Sequence, residues 1–244
     1  MGICSRSAAA HMIQAGRVRL NGAVRRNPET PVDLRSDRIE VDERAVVAAD
    51  KIYLVFNKPR GAVTTASDEK GRETVYDFLR AGPPRTKDRA CSPGKSASPW
   101  IAPVGRLDKA SEGLLLLTND SEWAARILAP ASHLDKIYHV QIGQVADDEL
   151  LSALREGIES DGEVLQVKRV TRLRTGEKNS WLEVVLDQGK NRHIRRMLES
   201  LGVEVLRLVR VAIGPLALSD LAKGASRPLT PVEKAALDRA LLSG

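Results

Sequence analysis

The sequence has few cysteines and no long apolar run. Only two of its 244 residues are cysteines, Cys4 and Cys91, and neither belongs to a spaced metal motif or a disulfide framework. The four histidines form no ligand cluster with them. No run approaches the ~18 apolar residues of a membrane span, and the amino terminus lacks a charged-then-apolar secretion signal. We therefore expect a reduced cytoplasmic protein that has no metal site and no membrane segment.

Acidic residues are in the minority. Lysine and arginine together number 38, against 32 aspartates and glutamates, which gives a net charge of +6. The arginines collect in residues 17–38 and 192–210 while the acidic residues are scattered, so the excess is expected to form basic patches. Such patches favour a polyanionic partner without identifying it.

Motifs for cofactors are missing as well. Residues 94–96, Gly-Lys-Ser, resemble the end of a phosphate-binding loop, but Arg89 stands where its first glycine is required. They lie in a segment at 81–99 that is rich in Pro, Ser, Lys and Arg and predicts a surface loop. The absence of a glycine-rich cofactor loop counts against a methyltransferase. Ser111 lies in K-A-S-E-G instead of G-x-S-x-G, which counts against a serine hydrolase.

The first part of the chain predicts a small mixed unit. Residues 5–15 have the pattern of a short helix, with Ser5 or Ser7 as its N-cap. The segment GRVRLNGAVRR then places apolar residues on both sides of an Asn-Gly turn, which is typical of a β unit, with arginines on its open face. Residues 42–50 predict a connector.

The rest of the chain alternates strand and helix patterns. We place a domain boundary near residue 50, between a small domain at 1–48 and a large one at 51–244. Two alternating runs joined by the polar segment TGEKNS predict an antiparallel pair of strands. Strands are predicted at 51–58, 114–117, 135–143, 164–174, 181–189 and around 207–210, and helices at 71–79, 121–130, 147–157, 190–202 and, after a capping box at 230–233, through 242.

The segment 103–120, PVGRLDKASEGLLLLTND, presents an arginine and a carboxylate on a short loop before a buried strand. An isolated pair such as Arg106 and Asp108 would ordinarily be a surface ion pair worth only ~0–1 kcal/mol. The context argues for more, because the whole segment resembles the active-site segment of the RsuA/RluB-type ribosomal RNA pseudouridine synthases.

Further segments carry the same resemblance. The GRVRLNG strand and its preceding helix resemble an S4 RNA-binding domain, which normally begins with a further helix. Residues 1–4 cannot supply that helix, so we expect either that the true start lies upstream or that the module is shortened. The resemblance covers nearly the whole chain and implies an α+β fold: a catalytic core with a mixed, largely antiparallel sheet flanked by helices, preceded by the S4-like module. It rests also on N-K-P-x-G at 57–61, K-x-Y-x-V at 136–140, GKNRHIRRM at 189–197 and the segment from Arg207 to Leu229.

The resemblance also implies roles at the site. Asp108 is the catalytic carboxylate, acting either as nucleophile at C1′ of the ribose or as base at C2′, and Arg195 is the residue that pairs with it. Tyr138 stacks on the target base, and Arg106 fills the space that the extruded base leaves. The isomerisation of uridine to pseudouridine needs no metal, nucleotide or redox cofactor.

RNA contacts are expected at both ends of the protein. The resemblance implies that the partner is ribosomal RNA, with the large subunit favoured, or a ribosome assembly intermediate. We expect the protein to be a monomer. Two residues depart from the family's third motif: Lys190 stands where arginine is commoner, and His193 where glutamine is commoner. We do not take His193 as a catalytic base. The predicted RNA-binding residues are Arg6, Arg17, Arg19, Lys58, Lys190, Arg192, Arg196 and Arg210, with Lys58 facing a phosphate.

A second function stays open from the residues alone. A non-catalytic S4-type RNA-binding or ribosome-associated protein would keep the S4-like module and the basic helix. Replacement of Asp108 by asparagine would leave the cellular role of such a protein intact, whereas it would abolish the activity of an enzyme.

Overall fold

The computed structural model describes residues 3–47, 49–65, 71–80 and 99–242. The predicted surface loop at 81–99, with Cys91 and the Gly-Lys-Ser motif, lies outside the described residues except for Pro99. No helix in the described part of the chain is long and apolar enough to cross a membrane.

The amino-terminal elements form a separate four-stranded antiparallel sheet beside one helix. The Ser5 hydroxyl accepts a hydrogen bond from the Ala8 N–H and caps the helix, as predicted. Asn21 and Gly22 both have positive φ angles, as a two-residue hairpin turn requires. The predicted connector begins later than expected, since it contains a short strand. The elements are α1 Arg6–Gln14, β1 Val18–Leu20, β2 Ala23–Arg25, β3 Ile39–Val41 and β4 Arg44–Ala45, and the strand order is β2-β1-β3-β4.

The remaining elements build one large sheet with helices on both faces and a separate two-stranded hairpin of β9 and β10. The strands are β5 Tyr53–Lys58, β6 Ala102–Val104, β7 Glu112–Thr118, β8 Lys136–Ile142, β9 Ile158–Ser160, β10 Glu163–Leu165, β11 Arg169–Thr175, β12 Ser180–Leu186, β13 Val205–Ile213, β14 Leu216–Ala217 and β15 Ser226–Pro228. The helices are α2 Val75–Arg80, α3 Ser121–Leu128, α4 Asp148–Glu156, α5 His193–Ser200 and α6 Pro231–Ala240, with a 3₁₀ turn at Pro130–Ser132.

The large sheet has nine strands in the order β11-β12-β8-β13-β7-β5-β15, with β14 paired to β13 and β6 paired to β7. Every pairing in it is antiparallel except that between β13 and β7. The mixed, largely antiparallel sheet and the antiparallel pair of β11 and β12 are therefore confirmed, as is the α+β class. The capping box of Thr230 and Glu233 is also formed, although α6 ends at Ala240.

Two apolar clusters hold the helices to opposite faces. Val140, Leu182 and Leu208 pack on one face of the sheet with the buried leucines of α4 and with Ile194 and Met197 of α5. On the other face, strands β5 and β7 and the end of β13 pack against α3 and α6 through Trp123, Ile127 and Leu237. Apolar burial on both sides fixes β7 as a central strand, and all seven of its residues are buried.

One predicted strand is wrong. The run 164–174 was expected to be continuous, but its beginning belongs to a separate hairpin of β9 and β10, and β11 starts only at Arg169. The hairpin turns at Asp161 and Gly162, which both have positive φ. An Asp-Gly pair is a strong hairpin signal, and the apolar alternation across 164–170 concealed it.

Candidate active site

Residues 105–111, which we call the Asp108 loop, connect β6 to β7. Gly105 turns the chain with a φ of 72°. The buried side chain of Leu107 anchors the loop in the core, and the Thr64 hydroxyl donates to the Leu107 carbonyl at 2.8 Å. The Ser111 N–H closes the loop by donating to the Asp108 carbonyl at 3.0 Å. Asp108 is left half-buried on a loop with a fixed backbone, and Arg106 is exposed.

Lys58 holds this loop from below. Its side chain is 0% exposed, and its Nζ donates to the carbonyls of Ser111 at 2.8 Å, Asp108 at 3.0 Å and Pro59 at 3.2 Å. Burial lowers the pKa of Lys58 to about 8, against the opposing pull of the carboxylates of Asp108 and Glu112. The prediction that Lys58 faces an RNA phosphate is wrong, because three backbone carbonyls enclose its ammonium.

Glu112 fixes the point where the loop enters β7. Its carboxylate, 3% exposed, accepts hydrogen bonds from Arg207 and binds the Lys223 ammonium at 2.8 Å. Burial acts to raise the pKa of Glu112, but the hydrogen bonds from Arg207 and Lys223 outweigh it and hold the pKa below its usual value. This buried ion cluster was not predicted from the sequence.

Gly113 allows β7 and β13 to approach each other closely. A Cβ atom at this position would lie 2.3 Å from the Arg210 carbonyl oxygen, and the φ of Gly113 is 104°. Only glycine fits such a contact without displacing backbone. The close approach places the β13 residues Leu208 and Arg210 beside the Asp108 loop, and both line the same cleft as Asp108.

Tyr138 lies in that cleft too. In β8 the side chains of Tyr138, Val140 and Ile142 are buried while their neighbours are half-exposed, as the alternation of a strand requires. The cleft has a volume of about 340 Å³ and is lined by the Asp108 loop, by Tyr138 and by residues 189–195. One site thereby brings together the four residues predicted from three separate segments: Arg106, Asp108, Tyr138 and Arg195.

The Arg195 side chain reaches the Asp108 loop, but it binds the backbone of the loop and not the Asp108 carboxylate. The half-buried guanidinium on α5 donates from Nη2 to the Ala110 carbonyl at 3.0 Å. Burial and the neighbouring Arg192 lower the pKa of Arg195, and the Asp108 carboxylate opposes that change. The predicted direct ion pair is not formed: among the described residues, no cationic nitrogen lies within 4.0 Å of the Asp108 carboxylate. Arg195 hydrogen-bonds to Ala110 and not to Asp108, so its charge acts on Asp108 only at longer range.

Apart from the buried Lys58, the basic residues predicted to bind RNA fall into three groups. Arg196 binds the β9–β10 hairpin, where it donates to the Ser160 carbonyl and pairs with Asp161 at 3.0 Å, and its predicted RNA-binding role stays a prediction. Arg210 is 7% exposed in the cleft wall, and its Nε donates to the Leu114 carbonyl at 2.7 Å. The others are exposed: Lys190 and Arg192 at the cleft, and Arg6, Arg17 and Arg19 in the amino-terminal unit.

The exposed arginines of the amino-terminal unit have acidic neighbours in part. Arg17 donates to the Asp42 carboxylate at 2.9 Å, and Arg19 lies 3.8 Å from Glu43. Both pairs are at the surface, where such contacts contribute little to stability and exchange readily with a phosphate. These residues therefore keep their predicted RNA-binding role as a prediction.

Several cleft residues carry buried polar atoms that have no hydrogen-bond partner among the described residues. They include Ser111 Oγ, Arg195 Nε and Arg210 Nη2. A buried donor left unpaired costs about 1–3 kcal/mol, which favours a cleft built for a polar ligand. His193 also lines the cleft, and burial lowers its pKa, so its neutral form is favoured. In the described part of the chain no group of histidine, cysteine or acidic side chains is placed to hold a metal.

Known proteins share both parts of this architecture. A family model for RNA pseudouridylate synthases matches residues 52–200, and a model for the S4 domain matches residues 1–39. The chain is 36% identical over 234 residues to the ribosomal large subunit pseudouridine synthase B of Bacillus subtilis, covering 95% of this chain and 89% of that protein. It is 34% identical to an uncharacterized RNA pseudouridine synthase of Aquifex aeolicus, covering 98% and 91%.

A solved structure agrees with these relatives along almost the whole chain. A crystal structure of a pseudouridylate synthase superimposes with a TM-score of 0.64 at 27% identity, covering 96% of this chain and 94% of the other. The match extends over the sheet, the cleft and the amino-terminal unit alike. With its paired domains, its Asp108 loop and its relatives, the chain belongs to the RNA pseudouridine synthase family.

Proposed function

We propose that this protein converts specific uridines of ribosomal RNA to pseudouridine, in the large subunit, with Asp108 as the catalytic carboxylate. The observation that carries the proposal is the Asp108 loop: a half-buried carboxylate on a backbone held by Lys58, Thr64 and Arg195, in one cleft with Tyr138. The large subunit is favoured because the relative in Bacillus subtilis is named for it.

The reaction breaks the bond between C1′ and N1, turns the uracil, and forms a bond between C1′ and C5. The proton leaves C5, and N1 gains one, so the reaction is an isomerisation. Asp108 acts on the ribose, either by bonding to C1′ or by removing the proton from C2′. Both routes require an ionised carboxylate, and Arg195 places a positive charge across the loop from it.

The other cleft residues bind and orient the base. The Tyr138 side chain forms the wall on which the uracil ring packs, and Arg106, exposed at the cleft, occupies the space from which the nucleotide is extruded. Extrusion costs a few kcal/mol. The exposed arginines of the S4 domain bind RNA backbone at a distance from the reacting atoms, which positions the substrate without reading its sequence. The partner is ribosomal RNA or an assembly intermediate, in the cytoplasm, and the protein acts as a monomer.

Tritium release tests the proposal. Ribosomal RNA labelled with tritium at C5 of uridine should lose the label to water with the wild-type protein. The variant Asp108→Asn should abolish release while the Kd for the same RNA changes less than about threefold, because the carboxamide keeps the shape of the side chain and loses its charge. The matched control is Asp220→Asn, at an exposed aspartate outside the cleft.

Two results would contradict the proposal. Undiminished release by Asp108→Asn would remove Asp108 from the chemistry. A wild-type protein that binds ribosomal RNA tightly and releases no tritium would instead support the non-catalytic RNA-binding alternative.

A further inference from the structure

The face of the large sheet that lies opposite α4 and α5 carries an aligned set of polar side chains. Cross-strand partners place Arg174 of β11 beside Trp181 of β12, Trp181 beside Gln141 of β8, and Gln141 beside Arg207 of β13. Directly opposed residues on neighbouring strands point to the same face of a sheet. We call these four residues the Arg–Trp row.

The Arg–Trp row is open to solvent, whereas the opposite face of these strands is packed. The residues next along the strands, Leu182, Val140 and Leu208, are buried under α4 and α5 on the other side. The tryptophan, glutamine and β13 arginine of the row are half-exposed, and Arg174 is exposed. Trp181 is one of only three tryptophans in the chain, and it belongs to neither of the two apolar clusters.

Two guanidinium groups flank the tryptophan ring. The Cζ atom of Arg174 lies 5.1 Å from the ring centroid of Trp181, and that of Arg207 lies 5.8 Å from it. Such contacts hold a guanidinium in place, which lowers the entropy lost on binding. The N–H groups of Arg174 stay available to acceptors, whereas Arg207 already donates from Nε and Nη2 to Glu112. The ring thus preorganises two cations on one surface.

The charges on this surface do not cancel. Arg207 shares the single carboxylate of Glu112 with Lys223, so two cations meet one anion. Arg174 has no acidic side chain within 4.0 Å among the described residues. The excess is positive, and guanidinium groups match the geometry of phosphate oxygens.

The Arg–Trp row also starts next to the candidate active site. Glu112, which binds Arg207, lies four positions after Asp108 and directly follows the Asp108 loop. From there the row crosses β13, β8, β12 and β11, a distance of roughly 14 Å at the usual strand spacing. An RNA strand that leaves the cleft past the Asp108 loop would meet these guanidinium groups.

We propose that the Arg–Trp row binds the phosphodiester backbone of the RNA segment that flanks the target uridine, as a second RNA contact outside the cleft and the S4 domain. The inference rests on the proposed function for its partner. RNA is favoured over an acidic protein segment because the row adjoins the loop at which the nucleotide reacts and offers forked donors suited to phosphates.

The test compares two arginines of the same strand. Arg174→Ala removes a cation of the Arg–Trp row. Arg169→Ala removes a cation of the same strand, β11, that lies outside the row and pairs with Glu183 at 3.0 Å. Both substitutions change the net charge by the same amount. The full-length protein is titrated with protein-free large-subunit ribosomal RNA over a range of salt concentrations, and tritium release is measured in parallel.

For Arg174→Ala we expect a Kd raised roughly three- to tenfold and a salt dependence of log Kd that is shallower by about one phosphate contact. Arg169→Ala should raise the Kd less than about twofold. In addition, RNA should change the tryptophan fluorescence of the wild-type protein, and Trp181→Phe should lose most of that change.

Equal effects of Arg174→Ala and Arg169→Ala would overturn the inference, as would a fluorescence change that persists in Trp181→Phe. The two proposals fail in different ways. A wild type that releases tritium while Arg174→Ala binds RNA normally contradicts the Arg–Trp row alone. A wild type that releases none, with RNA binding still weakened by Arg174→Ala, contradicts the proposed function and supports the row.

Discussion

The ammonium group of Lys58 donates a hydrogen bond of 3.0 Å to the backbone carbonyl of Asp108, the residue on which the proposed chemistry depends. The contact is made to the main chain, so the carboxylate stays available to the substrate. The same ammonium holds Ser111, where the loop ends. A lysine with three donors thus fixes both sides of a short loop from inside the core.

Replacing Lys58 by methionine should therefore reduce catalysis more than binding. Lys58→Met keeps the apolar stem but leaves three carbonyls without their donor, and a shift of about 1 Å in a reacting group can cost on the order of a hundredfold in rate. We expect single-turnover tritium release to fall by at least tenfold, with an unchanged Kd for RNA. Lys51→Met, at an exposed lysine on the same segment, is the control and should react normally. An active Lys58→Met would show that the loop holds its shape without the ammonium.

The lowered pKa of Lys58 predicts opposite pH effects on rate and on stability. Its folded pKa is about 8, below its ordinary value of 10.5. As pH rises through about 8, the amine loses one of three donors and the loop loosens, so tritium release should decline. Between about 8 and 10.5 the unfolded chain binds more protons than the folded one, so the contribution of Lys58 to the free energy of unfolding rises with pH.

The difference between wild type and Lys58→Met isolates both effects. Urea unfolding at several pH values should show the wild type gaining free energy of unfolding relative to Lys58→Met as the pH rises above about 8. A difference that is flat across this window would mean that Lys58 titrates near its ordinary pKa.

Gly113→Ala tests the close approach of β7 and β13. The added Cβ would meet the Arg210 carbonyl oxygen at 2.3 Å, at a φ of 104°. Gly162→Ala is a matched control, because Gly162 also has a positive φ of 74° but nothing within 4 Å of its Cβ position. The control should lose about 1–2 kcal/mol of the free energy of unfolding from backbone strain alone, and Gly113→Ala about 2 kcal/mol more. Equal losses in urea unfolding would show that the strands can separate without cost.

Local patterns were sufficient to predict Tyr138, because alternation in a strand decides which face a side chain takes. They were insufficient for Lys58, the last residue of β5. A lysine at a strand end is usually exposed, and only the fold of the Asp108 loop, some fifty residues later, supplies two of the three carbonyls that make its burial possible. The sheet and its helices can be predicted from the periodicity of the sequence. The contact between Lys58 and the Asp108 loop cannot, because it joins residues that are distant in the chain.

The same limit applies to charged residues. The basic face of α5 was visible in the sequence, but the commitment of Arg196 to Asp161 required the β9–β10 hairpin, which was not predicted. Glu112 was equally hidden, since its partners Arg207 and Lys223 come from β13 and from the segment before β15. A pattern shows where cations are concentrated, but the fold decides which of them are free to bind RNA.

Arg195 provides the last test, because its contact differs from the expected one. Its guanidinium donates to the Ala110 carbonyl at 3.0 Å and makes no direct hydrogen bond to the Asp108 carboxylate. Arg195→Lys keeps the charge but loses the planar fork of the guanidinium. The side chain can then no longer hydrogen-bond to the loop and face the cleft at the same time. We expect single-turnover tritium release to fall more than about tenfold while the Kd for RNA stays within about threefold. Arg155→Lys is the control, since Arg155 also donates to a backbone carbonyl, that of Val170, at 3.0 Å but outside the cleft. If both lysine variants reacted at the wild-type rate, charge alone would suffice at position 195, and the hydrogen bond to Ala110 would be dispensable.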